Sequence, residues 1–388
     1  MKTKMYLLAA LVLCGAGLGG AFAQSFTSGS TGADGALNVT SNTTLALPAN
    51  GIFNFTTVTI SQSYTLTFTK NLLNTPVYIL ALGDVVINGT INVSGSGGSG
   101  SPPVGGSGGP GGFDGGLPGA DPSSIPPGAG YGPGAALGGF NSTAAGGAGA
   151  AGYASVGASG ASTNNGAAYG SPLLIPMIGG SGGGGTTGSP GVGGGGGGGA
   201  IMIASSTKIV VTGYITATSS GNSSAYNGGS GGAIRLVAPA VSGSGQLNVN
   251  GNNGSGSGRI RIDALDRSSL NFNVFPPAAA SIGAAMFLFP NPIPRLDIIS
   301  AAGQNIPVGN PNPVTVVLPF GSPTNSSITV QAKDFTGILP IKVVLTPENG
   351  VPSSFLSQID MSTGNPAQAT VNVSFPVNVR TVVNAWTR

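Results

Sequence analysis

The chain of 388 residues holds 71 glycines, one cysteine and no histidine, and only 6% of its residues are charged, for a formal net charge of +3. Without histidine, Ser-His-Asp triads and the usual zinc sites are excluded. A nearly uncharged surface of Ser, Thr and Asn steers charged partners weakly and lacks the basic footprint of a nucleic-acid binder.

Residues 1–23 read as an export signal. Lys2 and Lys4 form a basic start, Met5 to Leu13 an apolar run too short to span a bilayer, and Ala21-Phe22-Ala23 a small-x-small cleavage site. A lipidated Cys14 is the rival reading, disfavoured because Leu13 before it is not small. Cleavage near Ala23 leaves a cysteine-free chain with a charge of about +1 and places it outside the cell or at its surface. No later apolar stretch is long enough for a transmembrane helix.

Residues 24–93 alternate polar with β-branched or aromatic residues, as in Ile52 to Ile60 and Tyr64 to Thr69, which predicts half-buried strands. A repeated unit follows. Val77-Tyr78-Ile79-Leu80, Ala200-Ile201-Met202-Ile203, Ala233-Ile234-Arg235-Leu236 and Arg259-Ile260-Arg261-Ile262 are laid over one another. The first three lead to a second strand entered through Gly89, Gly213 or Gly245, two residues before Ile91, Ile215 or Leu247. Such a unit cannot bury its apolar side alone, so the repeat predicts stacked coils of a parallel β-solenoid across 24–93 and 200–288. In that register Tyr78, Ile201, Ile234 and Ile260 form one inward column, and Leu80, Ile203, Leu236 and Ile262 a second. A β-sandwich is the rival.

Residues 94–199 interrupt the repeat with 42 of the 71 glycines and only two charges, Asp114 and Asp121. Two readings stand: a flexible Gly/Ser-rich loop, or packed polyproline II segments. The length of the segment and the apolar run Leu173 to Ile178 favour partial order. Residues 289–388 open with Pro290, Pro292 and Pro294. Strands are expected at Val314–Leu318, Ser327–Ala332, Ile341–Leu345 and Ala369–Phe375, as in an immunoglobulin-like β-sandwich without its cysteine pair.

The fold class is therefore all-β, and neither a catalytic residue, a metal site nor a cofactor is expected. One charge cluster stands out: Arg235, Arg259, Arg261, Asp263, Asp266 and Arg267. It is expected on the outward face of adjacent coils, as solvated Arg–Asp pairing or as a small anion or acidic-sugar site. Asp114 and Asp121 suit turns better than calcium binding. Phe113, Tyr131, Phe140, Tyr153 and Tyr169 are either packing studs or exposed stacking platforms for sugars.

The long glycine runs broken by these aromatics resemble the polyproline II glycine-rich tips of phage tail-fibre adhesins and the glycine-rich domain of some receptor ectodomains. The whole layout, with Gly231 to Leu236 and Arg259 to Asp263, resembles glycine-rich secreted bacterial surface proteins, and the repeat that of pectin-lyase-like solenoids. The resemblance implies a secreted structural or adhesive protein, with cell-surface polysaccharide or further copies of itself, end to end or in filaments, as partners. A polysaccharide-active solenoid lyase or hydrolase is the first alternative. An ice- or mineral-binding protein is the second, resting on Thr56, Thr57, Thr59, Thr65, Thr67 and Thr69.

Overall fold

The computed structural model describes residues 26–120, 125–140, 147–158, 163–188, 191–221, 227–252, 254–310 and 312–387. The expected export signal, Cys14 and Asp121 lie outside them. Described residues are almost entirely strands and glycine-rich connections, and no helix among them is long and apolar enough to cross a membrane.

The chain first winds through β1 (Leu37–Val39), β2 (Thr43–Ala46), β3 (Ile52–Phe55), β4 (Val58–Ile60), β5 (Thr65–Thr69), β6 (Val77–Ala81), β7 (Val85–Ile87) and β8 (Thr90–Asn92). A small hairpin, β9 (Ser99–Gly100) and β10 (Pro103–Val104), opens the glycine-rich region. Winding resumes with β11 (Ala200–Ser205), β12 (Lys208–Val211), β13 (Tyr214–Thr216), β14 (Ala233–Ser242), β15 (Gln246–Asn248), β16 (Arg259–Asp266), β17 (Asn273–Phe275) and β18 (Ala280–Gly283). All pairings in this stack are parallel, and they sort into three faces. The first is β3-β6-β11-β14-β16-β18. The second is β1-β4-β7-β12, continued by the distal parts of β14 and β16. The third is β2-β5-β8-β13-β15-β17.

Val, Ile and Leu point inward from all three faces into one core that includes Val58, Ile79, Ile91, Ile203, Leu236 and Leu247. Burying one such side chain contributes about 1.5–3 kcal/mol. Glycine is required at the corner between the second and third faces. A Cβ on Gly245 would lie 2.4 Å from the Gly213 carbonyl oxygen, and one on Gly213 would strike that of Gly89.

The expected inward columns need one correction. Val77, not Tyr78, pairs with Ile201, and Ile79 with Ile203. Ile201, Ile234 and Ile260 do share a column, as do Ile203, Leu236 and Ile262. Tyr78 and Leu80 instead face outward with Met202. A one-residue slip exchanges the two sides of a strand, and here both sides are apolar. The outer side is covered by Phe26, Met177, Met286, Leu288 and Phe289.

The glycine-rich region is ordered through its backbone. Its central run sends amide hydrogen bonds to a given neighbour at every third residue. Gly193, Gly196 and Gly199 donate to Ser99, Ser96 and Val93, Gly194 and Gly197 to Gly116 and Phe113, and Gly195 and Gly198 to Asn227 and Ser230. Loops after β13 and β15 join the same packing, with Ala151 N–H bonded to Gly228 and Gly256 N–H to Ala151.

Beyond the stack come β19 (Arg295–Ala301), β20 (Gln304–Asn305), β21 (Asn325–Lys333), β22 (Ile338–Pro347), β23 (Ser353–Asp360), β24 (Ala367–Ser374) and β25 (Thr381–Thr387). They form two antiparallel sheets, β20-β19-β21-β24 and β23-β22-β25, around a core containing Ile328, Val330, Ile341, Val343 and Leu345. The strand expected at Val314–Leu318 is absent: this stretch lies between Pro313 and Pro319, and Val317 is 83% exposed. Proline removes an amide donor and is confined to sheet edges.

Candidate functional site

Among the described residues, the one concentration of charge lies on the outer side of the first face, where β14 and β16 run in register and pair Arg235 with Arg261 and Val237 with Asp263. The expectation of a solvated face is corrected for its central pair: Arg235 is 1% exposed and Asp263 fully buried. Their cover is the segment that leaves β18. Arg235 Nη2 donates to the carbonyls of Phe287 (2.8 Å) and Ala285 (3.2 Å), and Nη1 to that of Leu288 (3.4 Å).

Both oxygens of Asp263 are engaged. Oδ2 accepts from Arg235 Nη2 at 3.2 Å, and Oδ1 from Arg261 Nη2 at 2.6 Å and the Ala285 amide at 2.9 Å. Burial pulls the Arg235 guanidinium below its ordinary value, and the Asp263 charge opposes that shift. Tyr78, on the same side, is pushed up to about 12 by burial, with Arg235 pulling the other way. The cluster acts as a clamp that holds the returning chain to the sheet.

Arg259, at the start of β16, holds the glycine-rich region. Its Nη2 donates to the Tyr169 carbonyl at 3.0 Å, and its guanidinium lies 5.7 Å from the centre of the Tyr153 ring. Tyr153 and Tyr169 pack at 4.5 Å between centroids. Their hydroxyls donate to the carbonyls of Ile178 and Gly179. Burial raises both phenols well above the ordinary value. These two tyrosines are packing studs. So is Phe113, edge-on to Trp386 of the antiparallel unit at 5.5 Å. Tyr131 is half-buried and shifted upward by burial first, then by Glu348. Phe140 alone of the five is widely exposed, at 64%.

Further contacts, not visible as sequence motifs, tie the parts together. Asn74 brackets the glycine-rich chain, donating to Gly112 O at 2.7 Å and accepting from Gly111 N at 3.0 Å. Lys70 pairs with Asp114 at 3.0 Å. Asn349 donates to Pro126 O at 3.0 Å, beside a parallel bridge between Gly128 and Gly350. The apolar run Ala284 to Phe289 was the one available sign that the charged face has a lid.

Glycoside hydrolysis needs two carboxylates flanking one bond. Asp263 is enclosed by donors, whereas Asp266 stands exposed and caps Ser268 through its amide and hydroxyl. Among the described residues no group of three or more His, Cys, Asp or Glu side chains gathers to hold a metal. No family model, curated protein or solved structure matches the chain.

Proposed function

We propose that the chain is a secreted structural or adhesive cell-surface protein without catalytic activity: a parallel β-solenoid, a polyproline II-like glycine-rich bundle and an immunoglobulin-like β-sandwich locked into one body. The observation that carries this reading is the use of the charged and aromatic side chains. Arg235, Arg261 and Asp263 fasten the returning chain, Arg259, Tyr153 and Tyr169 fasten the glycine-rich region, and Phe113 meets Trp386. Chemistry that an enzyme would direct at a substrate is here directed inward. The solenoid term is supported by the three parallel faces, and the polyproline II term by the three-residue hydrogen-bond period, which matches three residues per turn. The phage-adhesin resemblance keeps its place as an account of the glycine-rich region, with Phe140 as its one exposed stacking platform.

Purified protein on a glycan array, in parallel with electron microscopy and a reducing-end assay on acidic and neutral polysaccharides, tests the reading. Glycan binding or filaments without new reducing ends is the expected result. Turnover of a polysaccharide overturns it.

A second reading, ice or mineral binding, is favoured by the outer side of the third face. There Thr65, Thr90, Tyr214, Gln246 and Asn273 stand in register, and Thr44 lies beside Thr67 with their hydroxyls 2.7 Å apart. Such rows repeat at about 4.8 Å across a sheet. Thermal hysteresis in a freezing assay would support it, and unaltered crystal growth would remove it.

A further inference from the structure

The three faces of the parallel stack differ in what their outer sides offer. The first is covered by Phe26, Met177 and the chain returning from β18. The second carries at its margin the ion pair of Lys208 and Asp84, 3.2 Å apart. No strand of the third face, β2, β5, β8, β13, β15 or β17, contains a charged residue. Leu66, Ile91, Ile215 and Leu247 point from these strands into the core, so the residues on either side of each point out. None of those outward residues is buried.

Two rows run across this side. Thr65, Thr90, Tyr214, Gln246 and Asn273 form the first. Asn92, Thr216, Asn248 and Phe275 stand in the second. The second row is tied within the protein: Thr216 Oγ1 donates to Asn92 Oδ1 at 3.1 Å, and Asn248 Oδ1 accepts from the Asn250 amide at 3.0 Å. In the first row no side chain is hydrogen-bonded to another described residue. Its hydroxyls and amides therefore present donors and acceptors together to whatever lies against the face. Two rings stand among them, Tyr214 at 51% exposure and Phe275 at 42%. They are two strand levels and two residues apart, which puts their Cα atoms roughly 12 Å from one another.

We infer that the outer side of the third face binds a neutral, extended, β-linked polysaccharide, laid across the strands with sugar rings stacked on Tyr214 and Phe275. The inference rests on the adhesive reading above and names its ligand class and its surface. The absence of charge gives an acidic polymer or a nucleic acid nothing to pair with. Strands at constant spacing meet a ribbon-like chain along its length, whereas a helical α-linked glucan curves away from them. The separation of the two rings is about the span of a disaccharide, so successive units of one chain reach both. Tyr214 interrupts the run of hydroxyls and amides, which suits sugar rings better than the unbroken lattice of ice. Sugar hydroxyls replace water on the first row at little net gain. The rings, which remove apolar area from water and stack on the sugar, supply most of the affinity.

The test measures depletion of the purified chain from solution by microcrystalline cellulose, with granular starch and calcium pectate beads as comparison polymers. Wild type is expected to adsorb to cellulose and not to the other two, and to stay adsorbed as salt is raised, since no charge takes part. The double variant Tyr214→Ala/Phe275→Ala is expected to adsorb roughly tenfold more weakly, and Gln246→Ala about threefold at most. Tyr214→Phe keeps the ring and should hold near the wild-type level. Should circular dichroism show that the double variant is altered, Tyr214→Ser alone replaces it, with a loss of about threefold expected. A wild type that ignores cellulose, binds starch or pectate as well, or adsorbs equally without its rings would overturn the inference. So would thermal hysteresis, or self-association in sedimentation, that is lost in the double variant while cellulose stays unbound. Ring-dependent adsorption accompanied by new reducing ends would keep the binding face and end the non-catalytic reading. Glycan binding indifferent to the rings would end the binding face and leave the adhesive reading standing.

Discussion

In the parallel stack, neighbouring coils meet through columns of Val, Ile and Leu side chains; in the glycine-rich region, neighbouring segments meet backbone to backbone. The stack gains its cohesion from apolar area removed from water. The glycine-rich region has almost no such area and relies on amide–carbonyl pairing at close approach. A Cβ on Gly195 would strike the Ser220 carbonyl, and one on Gly112 would sit 2.5 Å from that of Gly198. The two regions therefore fail in opposite directions: the first when a methyl is removed, the second when one is added.

The largest effect is expected where the regions are clamped. Asp263→Ala leaves Arg235 charged and enclosed, at a cost of about 3–5 kcal/mol, read as a fall in the denaturation midpoint. Next, Ile203→Ala in the stack should cost about 2–5 kcal/mol through lost burial and the cavity left behind. Gly195→Ala is the mirror experiment, expected to cost about 1–3 kcal/mol by overpacking. If Gly195→Ala were neutral while Ile203→Ala was severe, the backbone-packed account of the glycine-rich region would fall.

Alkali gives a further contrast. Burial raises the phenols of Tyr78, Tyr153 and Tyr169, that of Tyr78 to about 12. Their folded pKa values exceed the ordinary value of about 10, so the unfolded chain releases these protons first. Stability is fully present below about pH 10 and is lost as pH rises toward and through 12. Phenolate absorbance from these tyrosines should appear together with loss of the β-sheet signal rather than before it. The smallest effect is expected at Gly337. Its φ is +72° with open space around the site, so Gly337→Ala should cost about 1 kcal/mol from strain alone.

Much of the stack was legible because its repeat is written at constant spacing. Aligning Ile201, Ile234 and Ile260 required only the shared four-residue start, and the corner glycines 89, 213 and 245 marked the second strand. Tyr78 was misplaced because β6 has apolar residues on both sides, and alternation says nothing when a sheet is covered twice. Burial of Arg235 and Asp263 was not legible, because their cover comes from Ala285 to Leu288, beyond the end of β16. In the glycine-rich region the three-residue period lives in the hydrogen bonds, and consecutive glycines carry no pattern to read. Val314 to Leu318 shows the converse: a β-branched run whose flanking prolines outweigh its propensity.

The position of the glycine-rich region within the stack also bears on how the chain folds. β6 and β11 are adjacent in space, yet Ile79 and its partner Ile203 are 124 residues apart in sequence. Closing so long a loop costs about 1.4 kcal/mol more than closing one of about 25 residues, and none of it is recovered until the strands register. Long-range parallel pairing is intrinsically slow. The two halves of the core can unite only as the segment between them compacts, so the region with the fewest side chains governs when the side-chain core is completed.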